Sequence, residues 1–290
     1  MRFMTYLSGS GPRLGVVVGD ALAPIPGLSL LDLIGEGDAG LARARQALAG
    51  PERVALAGLE RLAPIPEPRR NVFCLGWNYA EHSREAAAAR TGQLKPEVKL
   101  PERPIFFTKA TTAVIGPGAA IPLHAACTSQ LDWEVELGVV IGRGGRDIPR
   151  DRAMAHVFGY TVINDVSARE VQILHGKQFF KGKSLDGTCP MGPWIITADE
   201  VPDPHALALS CRVNGVEKQA GNTSDFIFDI PAILEWLSAG MTLLPGDIIA
   251  TGTPAGVGFA RTPPEFLQAG DVLVSEISGI GLLENPVRDL

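Results

Sequence analysis

Apolar and polar positions divide the chain into two stretches of different character. Residues 1–7 and 14–25 are short strand-like runs punctuated by turn residues such as Gly19-Asp20. Ser29 precedes Leu30, Leu31, Leu33 and Ile34, which predicts a serine-capped helix ended by Gly35. Residues 41–49 read as another short helix, and residues 63–70 (APIPEPRR) carry three prolines and read as a linker. Beyond them, residues 72–75 form an apolar strand running into Gly76-Trp77-Asn78-Tyr79. Residues 81–90 (EHSREAAAAR) are strong helix formers stopped by Gly92. Residues 93–104 are polar and proline-broken, a mobile tether for that helix.

The remainder alternates short apolar runs with Gly/Pro turns, which predicts a β-rich body built of hairpins. Two helices interrupt it. Ser167-Ala168-Arg169-Glu170 fits a capping box, and residues 232–238 follow Pro231 and precede Gly240. Two strand openings are alike, Pro245-Gly246-Asp247-Ile248 and Ala269-Gly270-Asp271-Val272, though too short to be a repeat.

With 290 residues, 46% of them hydrophobic and 20% charged, the chain has room for a small N-terminal unit, 1–66, and a larger domain, 70–290. The net charge of −6 and the lack of a basic–aromatic stripe argue against nucleic acid as a partner. The N-terminus shows no signal-peptide core and no apolar run is long enough for a bilayer, so the expectation is a cytoplasmic protein without membrane partners. Cys74, Cys127, Cys189 and Cys211 are widely spaced and read as thiols in a reducing compartment.

The chemistry begins at Leu131-Asp132-Trp133-Glu134-Val135-Glu136-Leu137, which continues into Gly138-Val139-Val140-Ile141. On a strand, Asp132, Glu134 and Glu136 share a face, with neighbouring carboxylates ~7 Å apart. Like charges entering a core need a cation or protons in compensation, and a hard divalent ion with oxygen ligands is the simplest one. An edge strand with a solvated polar face remains the alternative. Asp165, at the end of the apolar run 157–163, offers a third carboxylate, or else a turn residue in Asn164-Asp165.

Three further segments carry reactive side chains. His82 and Glu85 lie one helical turn apart, where a carboxylate can orient an imidazole as a general base, although the spacing by itself favours a solvated helix face. Lys183, in Phe179-Phe180-Lys181-Gly182-Lys183-Ser184, is suited to neutralising an enolate if buried. Thr251-Gly252-Thr253-Pro254-Ala255-Gly256-Val257-Gly258 lets a ligand approach the backbone, yet has neither a Walker ending nor dinucleotide spacing.

Taken in order, Gly76-Trp77-Asn78-Tyr79-Ala80-Glu81-His82, Trp133-Glu134-Val135-Glu136-Leu137, Asn164-Asp165-Val166-Ser167-Ala168-Arg169, Gly182-Lys183-Ser184-Leu185-Asp186 and Thr251-Gly252-Thr253-Pro254 resemble the fumarylacetoacetate hydrolase family. The resemblance covers roughly residues 70–290. It implies an α+β, mainly β fold with a mixed β-roll core, a small N-terminal α/β unit and a homodimer. It also implies Glu134, Glu136 and Asp165 as ligands of Mg2+ or Mn2+, with Ca2+ as a substitute in a crystal. His82 and Glu85 would be the catalytic dyad on a lid helix, Lys183 the active-site lysine, and Tyr79, Arg169, Gln172 and Thr253 substrate contacts. Trp77 is a departure, since many acylpyruvate-cleaving members carry arginine there.

The expected activity is metal-dependent hydrolysis of a C–C bond in a small 2,4-diketo acid of the acylpyruvate or fumarylpyruvate type, such as arises in aromatic catabolism, through an enolate stabilised by the metal. Water would be activated by His82, with Lys183 balancing the charge. The alternatives are an oxaloacetate decarboxylase, a 2-hydroxymuconate-type isomerase or hydratase, and more remotely a non-catalytic dicarboxylate-binding protein.

Overall fold

A computed structural model describes residues 1–9, 11–92 and 97–289. At the N-terminal end, β1 (Arg2–Ser8), β2 (Gly11–Val18) and β3 (Ala21–Ile25) form an antiparallel meander. The turn expected at Gly19-Asp20 separates β2 from β3, with Gly19 at φ +58°, where only glycine is free of strain. Helix α1 (Leu30–Glu36) carries the expected cap, the Ser29 hydroxyl accepting from the Asp32 amide at 3.1 Å. Helix α2 (Asp38–Ala49) follows, then β4 (Val54–Ala55).

Residues 63–70, expected as a linker, are packed: Ala63 and Ile65 enter the same core cluster as Leu33 and Ile34 of α1. Arg70 Nε donates to Asp247 Oδ1 at 2.7 Å.

Next come β5 (Val72–Gly76), helix α3 (Ala80–Thr91) ended by left-handed Gly92, and β6 (Ile105–Lys109). Part of the expected mobile tether, residues 93–96, lies outside the described residues. The body comprises β7 (Val135–Ile141), β8 (Val157–Asn164), short α4 (Phe179–Lys183), β9 (Cys189–Thr197), β10 (Ala208–Val213), β11 (Val216–Asn222), α5 (Ile230–Ser238), β12 (Ile248–Ala250), β13 (Val272–Ile277) and β14 (Gly281–Arg288). Both repeated openings behave alike: Gly246 and Gly270 adopt φ +88° and +90°, and β12 and β13 begin two residues later.

The large mixed sheet has the order β4-β3-β2-β1-β9-β8-β7-β12-β5-β6, so β1 joins the N-terminal strands to the body through β9. A second sheet, β11-β10-β13-β14, packs its Leu209, Leu273 and Ile277 against the Val135, Leu137 and Val139 face of β7. Alternation puts Glu136 and Val140 on the other face of β7, where Val140 meets Val72, Cys74 and Ile163. The site therefore lies on the face of the large sheet turned away from the second sheet.

The expected helix starting at Ser167 is absent. Ser167–Ala168 pair instead with Leu131–Asp132, and a π-helical turn spans Glu170–Leu174. The Ser167 hydroxyl donates to the Asp165 carbonyl at 2.8 Å, and strand pairing at Ser167–Ala168 displaces the helix start it would have capped. All four cysteines are free, Cys127 exposed and the other three buried. Among the described residues no helix is long and apolar enough to cross a membrane.

Candidate active site and metal centre

β7 and β8 run antiparallel with Val135 opposite Asn164, which brings the residue after β8 beside the residue before β7. The Asp165 amide donates to the Glu134 carbonyl at 2.8 Å, and the Glu134 amide to Asn164 Oδ1 at 2.9 Å. Pairing alone thus assembles Glu134, Glu136 and Asp165: all are buried, and one carboxylate oxygen of each lies within 4.8 Å of the others. Asp132 does not join them. The chain leaves the strand at Trp133, and the Asp132 carboxylate accepts from Arg169 Nε (2.8 Å) and the Gly258 and Phe259 amides (2.6 and 3.0 Å).

Two buried lysines face the acids. Lys183 Nζ, 2% exposed in residue terms, donates to Glu134 Oε2 and Asp165 Oδ2, both at 2.7 Å. Lys109, fully buried at the end of β6, donates to Asp165 Oδ1 at 2.7 Å and to the Val166 carbonyl at 3.0 Å. Gly182 is what lets α4 bring Lys183 in, because a Cβ there would sit 2.7 Å from the Gln172 amide nitrogen. Lys109 was not read as a site residue from the sequence. Its signal was an apolar strand, Ile105-Phe106-Phe107-Thr108, ending on a lysine.

The charges respond to this geometry. Burial pushes the Glu134 carboxyl up, but Lys183, Arg169 and His82 outweigh it and hold its pKa down at about 2. Glu136 lacks such partners: burial, then the Asp165 and Glu134 charges, push it well above the ordinary carboxylate range. Burial lowers the Lys183 ammonium, yet Asp165 and Glu134 override it and keep it charged.

Helix α3 borders the same cavity as Glu134, Glu136 and Lys183, through His82 and Ala86. His82 Nδ1 is 2.9 Å from Glu85 Oε1, and Glu85 Oε2 accepts from the Gly256 amide at 2.8 Å, tying α3 to the threonine loop. In that loop the Gly252 amide donates to Glu136 Oε2 at 2.7 Å, and Thr253 is fixed by Gln219 Nε2 at 2.8 Å.

Arg169 Nη1 donates to Gln172 at 3.0 Å, and its Nη2 lies 2.7 Å from Glu134 Oε1 without hydrogen-bond alignment. His82, Glu134, Glu136, Arg169, Lys183 and Thr253 all line one cavity of about 40 Å³, together with Gln172 and aromatic side chains. Asp165 and Glu85 stand just behind that lining, bound to Lys183 and His82. Tyr79 lies off the cavity, its ring edge-on to Phe226 at 5.2 Å.

Known proteins resemble the chain in sequence and fold along its whole length. Residues 71–288 fit the model of the fumarylacetoacetate (FAA) hydrolase C-terminal domain. The chain belongs to the fumarylacetoacetate hydrolase family. It is 46% identical over 275 residues to the oxaloacetate tautomerase YisK of Bacillus subtilis (strain 168), covering 92% of this chain and 88% of the relative. A fumarylacetoacetate hydrolase from psychrophilic Exiguobacterium antarcticum superposes with a TM-score of 0.85 at 40% identity, over 100% of both chains. Maleylpyruvate hydrolase from Sphingobium sp. SYK-6, solved with manganese(II) and pyruvate, gives 0.80 at 32% identity, over 100% of this chain and 99% of that one. These likenesses make the chain a member of an enzyme family with the expected mixed α+β, mainly β fold. The family holds tautomerases, isomerases and hydrolases, and the acids here form a cluster able to bind a divalent metal.

Proposed function

We propose that the chain is a divalent-metal-dependent tautomerase of a small 2-oxo diacid of the oxaloacetate type, shifting a proton between carbon and the enol oxygen. The carrying observation is the compact cavity of about 40 Å³, in which oxygen donors, a charged lysine and an oriented imidazole converge. The likeness to the Bacillus tautomerase over 92% of the chain supports the same substrate class.

The donor set fits Mg2+ or Mn2+: every ligand is a hard carboxylate oxygen, and Glu136 is a buried acid in want of a cation. Glu134, Glu136 and Asp165 would hold the ion, which when bound supplies electrophilic stabilisation to charge developing on a 2-oxo oxygen. The chain's own groups do the rest. His82, fixed through Nδ1 by Glu85, takes the carbon-bound proton at Nε2 and delivers it to the enol oxygen, or runs both transfers in reverse. Lys183 neutralises the enolate charge, while Arg169 and Gln172 orient a carboxylate. Helix α3, tied down by Glu85 and Gly256, excludes bulk water.

Hydrolysis of a C–C bond in an acylpyruvate, the activity first expected from the sequence, is the second reading, and the His82–Glu85 pair favours it because the same base can activate water. Tautomerisation ranks first because it needs only proton transfer and no room for an acyl tail. The reading includes a homodimer: Ile105 and Trp236 are large exposed apolar side chains, and Arg103 stacks on the Trp236 ring at 5.2 Å.

The deciding experiment follows the enol absorbance of oxaloacetate with chelator-stripped protein, before and after Mg2+ or Mn2+ is added. Metal-dependent loss of the enol without pyruvate is the expected outcome. Pyruvate and CO2 from oxaloacetate would make the chain a decarboxylase, and pyruvate with a free acid from acylpyruvates a hydrolase. Metal-independent turnover would overturn the metal centre, and silence on every oxo acid would favour a binding protein.

A further inference from the structure

The residue following β5 has a backbone conformation that its side chain disfavours. Trp77 sits at φ +63°, in the left-handed region where a bulky residue is an outlier. Its neighbours impose it. The Asn78 amide donates to the carbonyls of Thr251 (2.8 Å) and Phe228 (3.1 Å), and Asn78 Oδ1 accepts from the Phe228 amide at 2.8 Å. On the other side Gly76 is still paired with Ile105 of β6. Strain of this kind persists only where surrounding structure over-determines it, and it concentrates at ligand sites. Its effect here is positional. The half-buried indole lines the cavity and stacks on the His82 ring, with centroids 6.0 Å apart and planes at 29°.

We propose that Trp77 is the specificity-determining wall of this cavity, admitting a compact 2-oxo diacid no longer than oxaloacetate and refusing longer acyl chains. The inference rests on the reading of the cavity as a 2-oxo acid site. Glu134, Glu136 and Lys183 are charged groups of its lining, where the 2-oxo end would sit. Among the apolar residues that share the lining Trp77 is the largest, and its indole is set against the ring of the base. Held by its backbone and stacked on His82, the indole cannot swing aside without disturbing the imidazole. Length is therefore limited by shape at the position next to the base.

The test is calorimetric titration of the Mn2+-loaded protein with a ladder of unbranched 2-oxo monocarboxylic acids, from pyruvate upward. Trp77→Gly removes the wall and suits the φ of +63°, so no backbone strain opposes its folding. Trp77→Phe keeps an aromatic wall, and Trp77→Leu is read in place of the glycine variant if that one proves unfolded by circular dichroism. In the wild type, affinity is expected to drop ~10-fold or more at a definite chain length, the scale on which apolar pockets discriminate single methylenes. Trp77→Gly should bind beyond that length with pyruvate affinity retained, while Trp77→Phe keeps the wild-type limit.

An unchanged limit in Trp77→Gly, or an equal loss of affinity for every acid, would overturn the proposal. If the wild type binds pyruvate but does not tautomerise oxaloacetate, the functional reading fails and the ladder still decides the role of Trp77. If it binds no 2-oxo acid, both fail.

Discussion

At the scale of single residues, the site is a balance of buried charges that the fold brings together. Glu136 is the acid least compensated by the chain itself, with the Gly252 amide as its hydrogen-bond donor. Glu136→Gln is expected to weaken Mn2+ binding by more than the ~100-fold typical of losing an outer-shell partner. The metal-free variant should melt no lower than the wild type, because burial and the neighbouring acids already disfavour the charged form that glutamine lacks; calorimetry and thermal unfolding together check both halves. Lys109 is the opposite case. Lys109→Met leaves Asp165 short of a partner in a fully buried pair and should cost about 3–5 kcal/mol in urea unfolding of the metal-free protein. Glu134, Glu136 and the His82–Glu85 spacing were legible in the sequence because strand and helix periods are local rules. Lys109 was not, since only the β5–β6 pairing and the turn after β8 bring it to Asp165.

Among the elements, α3 depends on a bond outside itself. Its side chains are mostly alanine and charged residues, and its link to the body runs through Glu85 and the Gly256 amide. Glu85→Ala should accelerate hydrogen exchange of the α3 amides and lower kcat by about 10²–10⁴, the range for a general base that has lost its orientation. Exchange in α5 serves as the control and should stay unchanged. Sequence reading located α1, α2, α3 and α5: α1 and α5 carry their side-chain caps and apolar residues within the segment, while α2 and α3 are runs of helix formers stopped by glycine. It misplaced the element after Asp165: Ser167 satisfies the capping-box pattern, but the Leu131–Asp132 strand competes for the same backbone and wins. Prolines in residues 63–70 marked irregular chain correctly, but the burial of Ala63 and Ile65 depends on a core formed by α1 and the large sheet.

For the whole molecule, the proposed metal would be coupled to the fold, because an ion that binds only the native site stabilises it by mass action. At a concentration of 100 times its Kd, Mn2+ should add about 2.7 kcal/mol of stability, read as a rise in melting temperature that a chelator reverses. Glu134→Ala should fold and show no such rise. The homodimer reading predicts sedimentation at twice the chain mass, with Trp236→Asp shifting it toward the monomer. Sedimentation of the wild type as a monomer would sink it.

The sequence by itself determined the ingredients: a β-rich chain, alternating carboxylates entering a core strand, a histidine and glutamate one turn apart, and motifs whose order names the family. These follow from periods of two and 3.6 residues and from backbone chemistry, which act over a few positions. Tertiary structure alone decided the arrangement. It excluded Asp132 from the metal cluster, brought in Lys109, and moved Tyr79 off the cavity while setting Trp77 against His82. Each outcome depends on pairing between strands distant in sequence, so a local pattern carries no trace of it.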